Sequence, residues 1–483
     1  AFALWDEEKG VLRLYRDRLG IKPLVYYADD ENIYFGSEIR SILEAGIPRN
    51  PDKEGLSYYW YLGYIPAPYT AFEGVRKLKP GHYITVSNGE IAETRYWSLP
   101  EPEEGDKGEK YYRNELRDLL EDSVKRRLMA DVPLGAFLSG GIDSSTVVGL
   151  MDKYSDNRVR TFSVAFKDEE YNESDYAQEV ADYYDTNHTE YTVDLSTAEE
   201  VEKILAEFDE PVADPALIPT YLIAEKASDN VKLVNTGEGA DELFGGYPRY
   251  LRNIRHWRRA RYIPGPLKTL IKKVAELSPE NTKPWFYGTY IGSMQSQAEH
   301  YSTMKTRGKD VPHVDRANIR KLVENTFDDR GDLLQNITAF DITYWLPDNL
   351  LYKVDHTTML NGLEARVPFL DHRLVEFSRR VPTAYKVENG KEKAILRKAM
   401  SDILPNSIQE RDKSGFGVPN GRWMKEGSLS DHFTYERFED IPILDEDTVM
   451  KRYEEFCQGN NVHSYYLWKA LNLQIWYEEW VEP

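Results

Sequence analysis

Cysteine is almost missing from this sequence, in which Cys457 is the only thiol among 483 residues. One thiol cannot form an internal disulfide, and it excludes both a Cys-x-x-Cys redox pair and a cysteine-rich zinc cluster. Long apolar runs are missing as well, because a run such as 217–224 is far shorter than the ~20 residues of a membrane helix. We therefore expect a soluble protein of the reducing cytoplasm that has no membrane partner.

Basic residues are fewer than acidic residues in this sequence. The sequence has 61 Lys and Arg against 82 Asp and Glu, which gives a net charge of -21. Such a chain repels a nucleic-acid backbone, so we expect no nucleic-acid partner. With 31 Gly and 25 Pro the chain has too few of either for a large disordered tract, and its length suffices for two or three globular domains.

Residues 1–100 predict a sheet domain. Short β-rich runs at 11–15, 24–27, 33–35 and 82–86 are separated by Gly, Asp and Asn, which is typical of strands joined by tight turns. Residues 101–110 are polar and rich in helix- and strand-breaking residues, so they are predicted to form a linker.

Residues 111–483 predict a second domain of the α/β class. Apolar residues recur at helical spacing from about residue 110, and strands then alternate with helices. Strands are predicted at 133–138, 161–166, 188–193 and 231–234, and helices at 143–154 and 174–184. This alternation indicates a parallel sheet whose ligands bind at the carboxyl ends of the strands. From about residue 249 onward the pattern is mostly helical.

The strongest chemical signal is a glycine-rich turn between a strand and a helix, Ser139-Gly140-Gly141-Ile142-Asp143-Ser144-Ser145. The glycines let the backbone approach a ligand, and the amides and hydroxyls at a helix N-terminus suit an anion. It is not a Walker-type loop, because no Gly-Lys-Ser/Thr follows. Asp143 would repel a phosphate unless a divalent cation lay between them, which makes it a candidate Mg²⁺ ligand. The alternative is that Asp143 merely caps the helix.

A second glycine-rich turn follows the strand that ends at Val234, and it reads Gly237-Glu238-Gly239-Ala240-Asp241-Glu242-Leu243-Phe244-Gly245-Gly246-Tyr247. Its three acids would repel a bare pyrophosphate. They suit a metal shared with Asp143, or a base near an incoming amine. The alternative is a solvated acidic loop without function.

The first turn resembles the pyrophosphate-binding loop of the N-type ATP pyrophosphatases, and the second is similar to a turn typical of asparagine synthetases and the related β-lactam synthetases. Segments 346–355, 364–371 and 391–397 resemble the same family. The resemblance implies that ATP and Mg²⁺ are the cofactors, that Asp143 and Asp241 hold the metal, and that Glu238 lies near an acyl-adenylate. It makes Lys393 the cation beside the phosphates, whereas spacing alone would favour an ordinary lysine on an amphipathic helix. The residues implied to bind ATP or pyrophosphate are Leu138, Ser139, Gly140, Gly141, Asp143, Ser144, Ser145, Val164 and Gly237.

Segments 16–24 and 35–39 resemble the distal half of a class II glutamine amidotransferase. That domain is an Ntn-hydrolase β-sandwich, and it uses an N-terminal cysteine whose own α-amine serves as the base. Ala1 stands at the start of this sequence instead. The expectation from the sequence is therefore a fragment that lacks the catalytic start of this domain and has no glutaminase activity of its own.

The resemblance implies ATP-dependent amidation of a carboxylate, most simply aspartate to asparagine through an acyl-adenylate, with release of AMP and pyrophosphate. Ammonia would be the nitrogen donor, supplied from glutamine in the full-length protein. Two alternatives stay open. In the first, the acceptor is a carboxylate other than aspartate, such as a cell-wall or polysaccharide precursor, since the acceptor-binding segment 209–215 varies within the family. In the second, the chain is a non-catalytic nucleotide-binding protein. The sequence also leaves a homodimer open.

Overall fold

The structure is a computed structural model, and it describes residues 1–103, 105–166, 174–193, 198–260, 262–276, 294–306, 316–328, 331–411, 417–425 and 428–482. In this part of the chain no helix is long and apolar enough to cross a membrane.

Two antiparallel sheets form the N-terminal part. One has the order β1-β2-β6-β7 and the other β4-β3-β5. The strands are β1 (Phe2–Asp6), β2 (Val11–Tyr15), β3 (Val25–Ala28), β4 (Ile33–Gly36), β5 (Arg76–Lys77), β6 (His82–Ser87) and β7 (Glu90–Arg95). All four predicted strands are confirmed to within a residue or two. The sequence missed β1 and β7 because both strands are exposed along almost their whole length, so they lack the alternating burial that marks a half-buried strand.

Helices α1 (Ile39–Leu43) and α2 (Lys53–Leu62) lie between these strands. The side chain of Asp52 caps α2 by accepting hydrogen bonds from the amides of Glu54 and Gly55. The aromatic side of α2 then joins a large core cluster, which includes Trp60, Phe162 of the second part and Trp476 near the C-terminus. The domain boundaries expected at residues 100 and 110 stay predictions, since this core contains side chains from both sides of them.

A five-stranded parallel sheet is the centre of the second part, in the order β10-β9-β8-β11-β12. Its strands are β8 (Leu134–Phe137), β9 (Arg160–Phe166), β10 (Asn187–Val193), β11 (Leu233–Asn235) and β12 (Glu364–Arg366). The predicted α/β class is confirmed, with β12 as an unpredicted addition. After β8, the strands β9 and β10 are added on one side of it, and β11 and β12 are then added on its other side. In sheets of this kind the point where the strand order reverses is where ligands bind.

Helices cover this sheet and make up the other regular elements of the described second part. Those before β11 are α3 (Glu109–Leu128), α4 (Ile142–Tyr154), α5 (Ser174–Tyr183), α6 (Ala198–Ala206) and α7 (Leu217–Ser228). They continue as α8 (Ala240–Phe244), α9 (Pro248–Ala260), α10 (Gly265–Glu276), α11 (Gln297–Thr306), α12 (Arg316–Glu324), α13 (Leu333–Phe340), a π-helix (Asp341–Leu351) and α14 (Tyr352–Met359). After a 3₁₀ turn (Pro368–Leu370) come α15 (His372–Arg380), α16 (Thr383–Lys386), α17 (Ala394–Ala399), α18 (Asn406–Glu410) and α19 (Asn420–Lys425). The last are a 3₁₀ turn (Ser428–His432), α20 (Tyr435–Phe438), α21 (Glu446–Cys457), a 3₁₀ turn (Asn461–His463) and α22 (Ser464–Trp480).

Candidate active site

A cleft of about 440 Å³ opens at the carboxyl ends of β8, β9 and β11, where the strand order reverses. Most of the residues that the sequence singled out line it, although they come from four separate segments. These are Leu138, Ser139, Gly141, Asp143, Ser144, Val164, Gly237, Glu238, Asp241 and Lys393. Gly140 and Ser145 are not part of the lining. Ser145 is fully buried, and its hydroxyl has no hydrogen-bond partner in the described structure.

The first turn has the backbone form that an anion site needs. Gly140 has φ +68°, and a Cβ there would lie 2.5 Å from the backbone of Tyr176, so only glycine fits. Gly141 precedes α4 as its N-cap, and no side chain caps the helix. The hydroxyls of Ser139 and Ser144 lie 3.1 Å apart beside it. The first-turn amides of α4 therefore have no capping carboxylate, and the alternative that Asp143 is a cap is wrong.

Asp143 is instead linked to Asp241 of the second turn by Lys393, which contacts both carboxylates. The Lys393 Nζ lies 2.7 and 2.5 Å from the two oxygens of Asp143, and 2.5 Å from Oδ1 of Asp241. The ammonium is almost completely buried, at 4% side-chain exposure. Lys393 is the N-cap residue of α17 with φ +54°, so it is not one residue of an amphipathic helix face. Two carboxylates from different strand ends thus converge on one cation.

Close packing of the two turns depends on glycines. A Cβ at Gly246 would lie 1.9 Å from Oδ1 of Asp241 and 2.0 Å from Cε of Lys393. A Cβ at Gly237 would lie 2.8 Å from Cβ of Asp143. Contacts this short do not occur between real atoms, so any larger residue would push the charged groups apart. The glycines noted in the sequence are required for this approach as well as for turn conformation.

The acidic second turn is not solvated, which rules out the alternative of a functionless exposed loop. Asp241 is 8% exposed and Glu242 is fully buried, while the half-buried Glu238 lines the cleft. Burial, with the charges of Asp241 and Glu238, raises the pKa of Glu242 to about 8. The Tyr247 hydroxyl donates a hydrogen bond of 2.6 Å to this carboxyl group.

The carboxylates fit a magnesium ion of the kind that completes its shell from a substrate. The described residues include no group of three Asp, Glu, His or Cys side chains that could enclose a metal. Asp143 and Asp241 both reach the same ammonium, so their oxygens are close enough to share a cation. Mg²⁺ is commonly held by one or two carboxylates together with phosphate oxygens and water.

Several cleft residues were not assigned a role from the sequence, although Asp214 lies in segment 209–215, where the acceptor was expected to bind. Arg411 lines the cleft and donates a hydrogen bond of 2.8 Å to the carbonyl oxygen of Gly140. Arg397 also lines it, one turn of helix beyond Lys393. Asp214 and Lys353 form an ion pair of 2.8 Å at the cleft wall. Lys353 and Arg397 belong to segments that carried the family resemblance, whereas no local pattern marks Arg411.

Comparisons with known proteins match both parts of the chain. A family model described as "Asparagine synthase" matches residues 115–478, and one described as "Glutamine amidotransferase domain" matches residues 1–97. A Bacillus subtilis protein named asparagine synthetase (glutamine-hydrolyzing) 1 is 32% identical over 99% of this chain and 77% of its own length. A second from the same species, numbered 3, is 29% identical over 86% of the chain and 66% of its own length. "Amidase chry2" of Gibberella zeae is 28% identical, over 88% and 70% respectively.

The fold and these matches define the class of protein. It is an ATP-dependent ligase that forms carbon–nitrogen bonds, and a glutamine amidotransferase region precedes the ligase part in the chain. The chain belongs to the asparagine synthase family. The fold class and the family expected from the sequence are therefore confirmed.

Proposed function

We propose that the cleft converts aspartate to asparagine through an acyl-adenylate, with AMP and pyrophosphate as the other products. The observation that carries this proposal is the Lys393 ammonium held between Asp143 and Asp241 at the junction of the two glycine-rich turns. A cation and two acids at the mouth of an anion-binding turn suit a reaction in which a polyphosphate departs.

In the first half-reaction a carboxylate oxygen of the acceptor attacks the α-phosphorus of ATP. The bond between the α and β phosphates breaks, and pyrophosphate leaves. Lys393 stabilises the charge that gathers on the phosphoryl oxygens, and the amides after Gly141 receive the pyrophosphate. Asp143 and Asp241 would hold Mg²⁺, which supplies charge neutralisation to the phosphates.

In the second half-reaction ammonia attacks the acyl carbon, the bond to AMP breaks, and the nitrogen loses a proton. Glu238 lines the cleft and is our candidate for receiving that proton. Residues 1–97 match a glutamine amidotransferase domain, which supplies ammonia from glutamine in this family, so we assign glutamine as the nitrogen source.

The test follows a heavy-oxygen label placed in the side-chain carboxylate of aspartate, with ATP, Mg²⁺ and ammonium present. We expect one labelled oxygen in AMP and none in pyrophosphate. Label in inorganic phosphate, with ADP as the nucleotide product, would instead mean an acyl-phosphate and would overturn the adenylate route.

A second candidate is amidation of a different carboxylate. It is supported by the relative named amidase, which matches most of this chain. Pyrophosphate release measured with aspartate and with a panel of other carboxylates separates the two, because an enzyme for another acceptor would turn over without aspartate. If nothing in the panel causes pyrophosphate release, the chain is a nucleotide-binding protein without this activity.

A further inference from the structure

The ion pair between Asp214 and Lys353 lies at the wall of the same cleft, apart from the phosphate-binding turns. The Lys353 Nζ is 2.8 Å from Oδ2 of Asp214, with side-chain exposures of 6% and 18%. Both residues line the cleft beside Glu238. Burial lowers the pKa of Lys353, but the carboxylates of Asp214, Glu238 and Glu242 outweigh it and hold the pKa above its usual value, so the lysine is charged.

Both partners are held firmly. Asp214 precedes α7, and its second oxygen accepts a hydrogen bond of 3.0 Å from the amide of Ala216. The neighbouring amide of Ala213 donates to the carbonyl oxygen of Gly63, at 2.9 Å. Lys353 is the second residue of α14. The amide of Ala216 orients Asp214, and burial restricts the Lys353 side chain, so the pair presents one anion and one cation to the cleft.

We propose that Asp214 and Lys353 recognise the α-amino-acid end of the acceptor, with Asp214 binding its ammonium group and Lys353 its α-carboxylate. This inference rests on the proposed function, because it names what the amidation site accepts. Without an acceptor each group neutralises the other, which avoids an unpaired buried charge. An α-amino acid carries one charge of each sign, so it can replace each partner with no net change in charge.

The pair therefore selects against acceptors that lack either charge. Succinate has a carboxylate to be amidated but no amine, so it would leave Asp214 without its ammonium partner. β-Alanine is aspartate without the α-carboxylate, so it would leave Lys353 without its anion. Sites built to pair with a polar group reject analogues that lack the group strongly, and here we expect at least about a hundredfold lower kcat/KM for either analogue.

The experiment measures steady-state pyrophosphate release with ATP, Mg²⁺ and ammonium, using aspartate, succinate and β-alanine in turn as the acceptor. The proteins are the unaltered chain, Asp214→Asn, Lys353→Met and a control, Asp229→Asn. Asp229 is exposed and follows the end of α7, so its substitution makes the same charge change at the opposite end of this helix, outside the cleft. Melting curves show whether each variant folds.

We expect Asp214→Asn to raise KM for aspartate, leave KM for ATP unchanged, and reduce the preference for aspartate over succinate to about tenfold or less. Lys353→Met should do the same for the preference over β-alanine, and Asp229→Asn should change neither ratio. If Lys353→Met does not fold, the succinate ratio in Asp214→Asn decides alone. A fall in kcat that is equal for all three acceptors would make the pair structural and overturn the inference.

Failure of the proposed function gives a different result. If the unaltered chain is inert with aspartate but amidates another carboxylate that carries an α-amino-acid end, aspartate is wrong as the acceptor. The pair's role then stands, provided that Asp214→Asn weakens that acceptor in preference to its deaminated analogue. If the acceptor in use has no α-amino-acid end, the role of the pair is overturned.

Discussion

Lys393 and Lys77 are both buried lysines in contact with carboxylates, yet their surroundings differ. Lys393 faces two carboxylates, Asp143 and Asp241, and all three line the cleft. Lys77 has one carboxylate partner, Glu210 at 2.5 Å, and it donates a second hydrogen bond of 2.7 Å to the carbonyl oxygen of Ile65. Glu210 in turn accepts a hydrogen bond of 3.0 Å from the amide of Ala71.

The difference shows how one kind of contact serves two purposes. Lys77 pairs with a single carboxylate and both groups are buried, so the pair joins the N-terminal sheets to the segment before Asp214. Around Lys393 one positive charge meets two negative ones beside the first glycine-rich turn, and we propose that a cation and phosphate complete this group. A buried ion pair whose partners are all inside the protein contributes to structure. A buried charged group that lines a cleft and has more negative than positive charges marks a candidate site.

The largest effect should come from the carboxylates beside Lys393. We expect Asp143→Asn and Asp241→Asn each to abolish synthesis, because each removes a charge that would hold Mg²⁺ against the departing pyrophosphate. The measurement is pyrophosphate release across a magnesium titration, with a melting curve to show that the fold is intact. Near-normal turnover of either variant at ordinary magnesium would refute the shared-metal role.

Substitution of Lys393 itself should cause the next largest loss of activity. Lys393→Met should slow adenylate formation by about a hundredfold or more, because the ammonium matters most when charge gathers in the transition state. KM for ATP should change far less than kcat in steady-state kinetics. Equal weakening of ATP binding with unchanged kcat would make Lys393 a ground-state binding residue instead.

Gly246→Ala tests whether the carboxylates must approach as closely as they do. The new Cβ would overlap Asp241 and Lys393, so we expect a loss of activity of about tenfold or more, smaller than that from removing Lys393. Gly265→Ala is the matched control, because a Cβ there meets nothing within 4 Å. Equal activity of the two variants would show that the spacing is not critical.

The smallest effect on catalysis should come from breaking the buried pair of Lys77 and Glu210, which should lower the stability of the fold instead. In the native protein burial raises the pKa of Glu210 to about 7, although Lys77 lowers it. The native state therefore keeps a proton that the unfolded chain loses, and the stability from this group falls as pH rises from about 4.5 to about 7. In Lys77→Met the opposing charge is gone, so the pKa rises further and the loss extends to higher pH.

Chemical denaturation should show that Lys77→Met loses roughly 3–5 kcal/mol of unfolding free energy at about pH 8, and less at about pH 5.5, where Glu210 can bind a proton. Lys79→Met breaks the more exposed contact with Glu93, so it should lose less than about 1 kcal/mol. Activity of the folded Lys77→Met protein should be close to normal. A catalytic defect as large as that of Lys393→Met would erase the distinction between the two lysines.

The chain order of strands and helices around the sheet could be predicted from the sequence, because apolar periodicity and glycine-rich turns are local signals. The runs at 161–166 and 174–184 became β9 and α5 almost unchanged. β7 was missed because it is exposed along its whole length, and the three-residue β12 is too short to give a pattern. The pairing of β11 between β8 and β12 could not be predicted, since no local signal states which strands are neighbours.

For the site, the sequence by itself determined which groups are candidates for chemistry: the two turns with their acids, and Lys393 through its resemblance to a known segment. Only the tertiary structure decided how these groups meet. It joined Asp143, Asp241 and Lys393, which lie up to 250 residues apart, and it added Asp214, Lys353 and Arg411 to the cleft. The physical reason is that residue type and local spacing set the chemistry of a side chain, whereas its partners and burial are set by packing between distant segments.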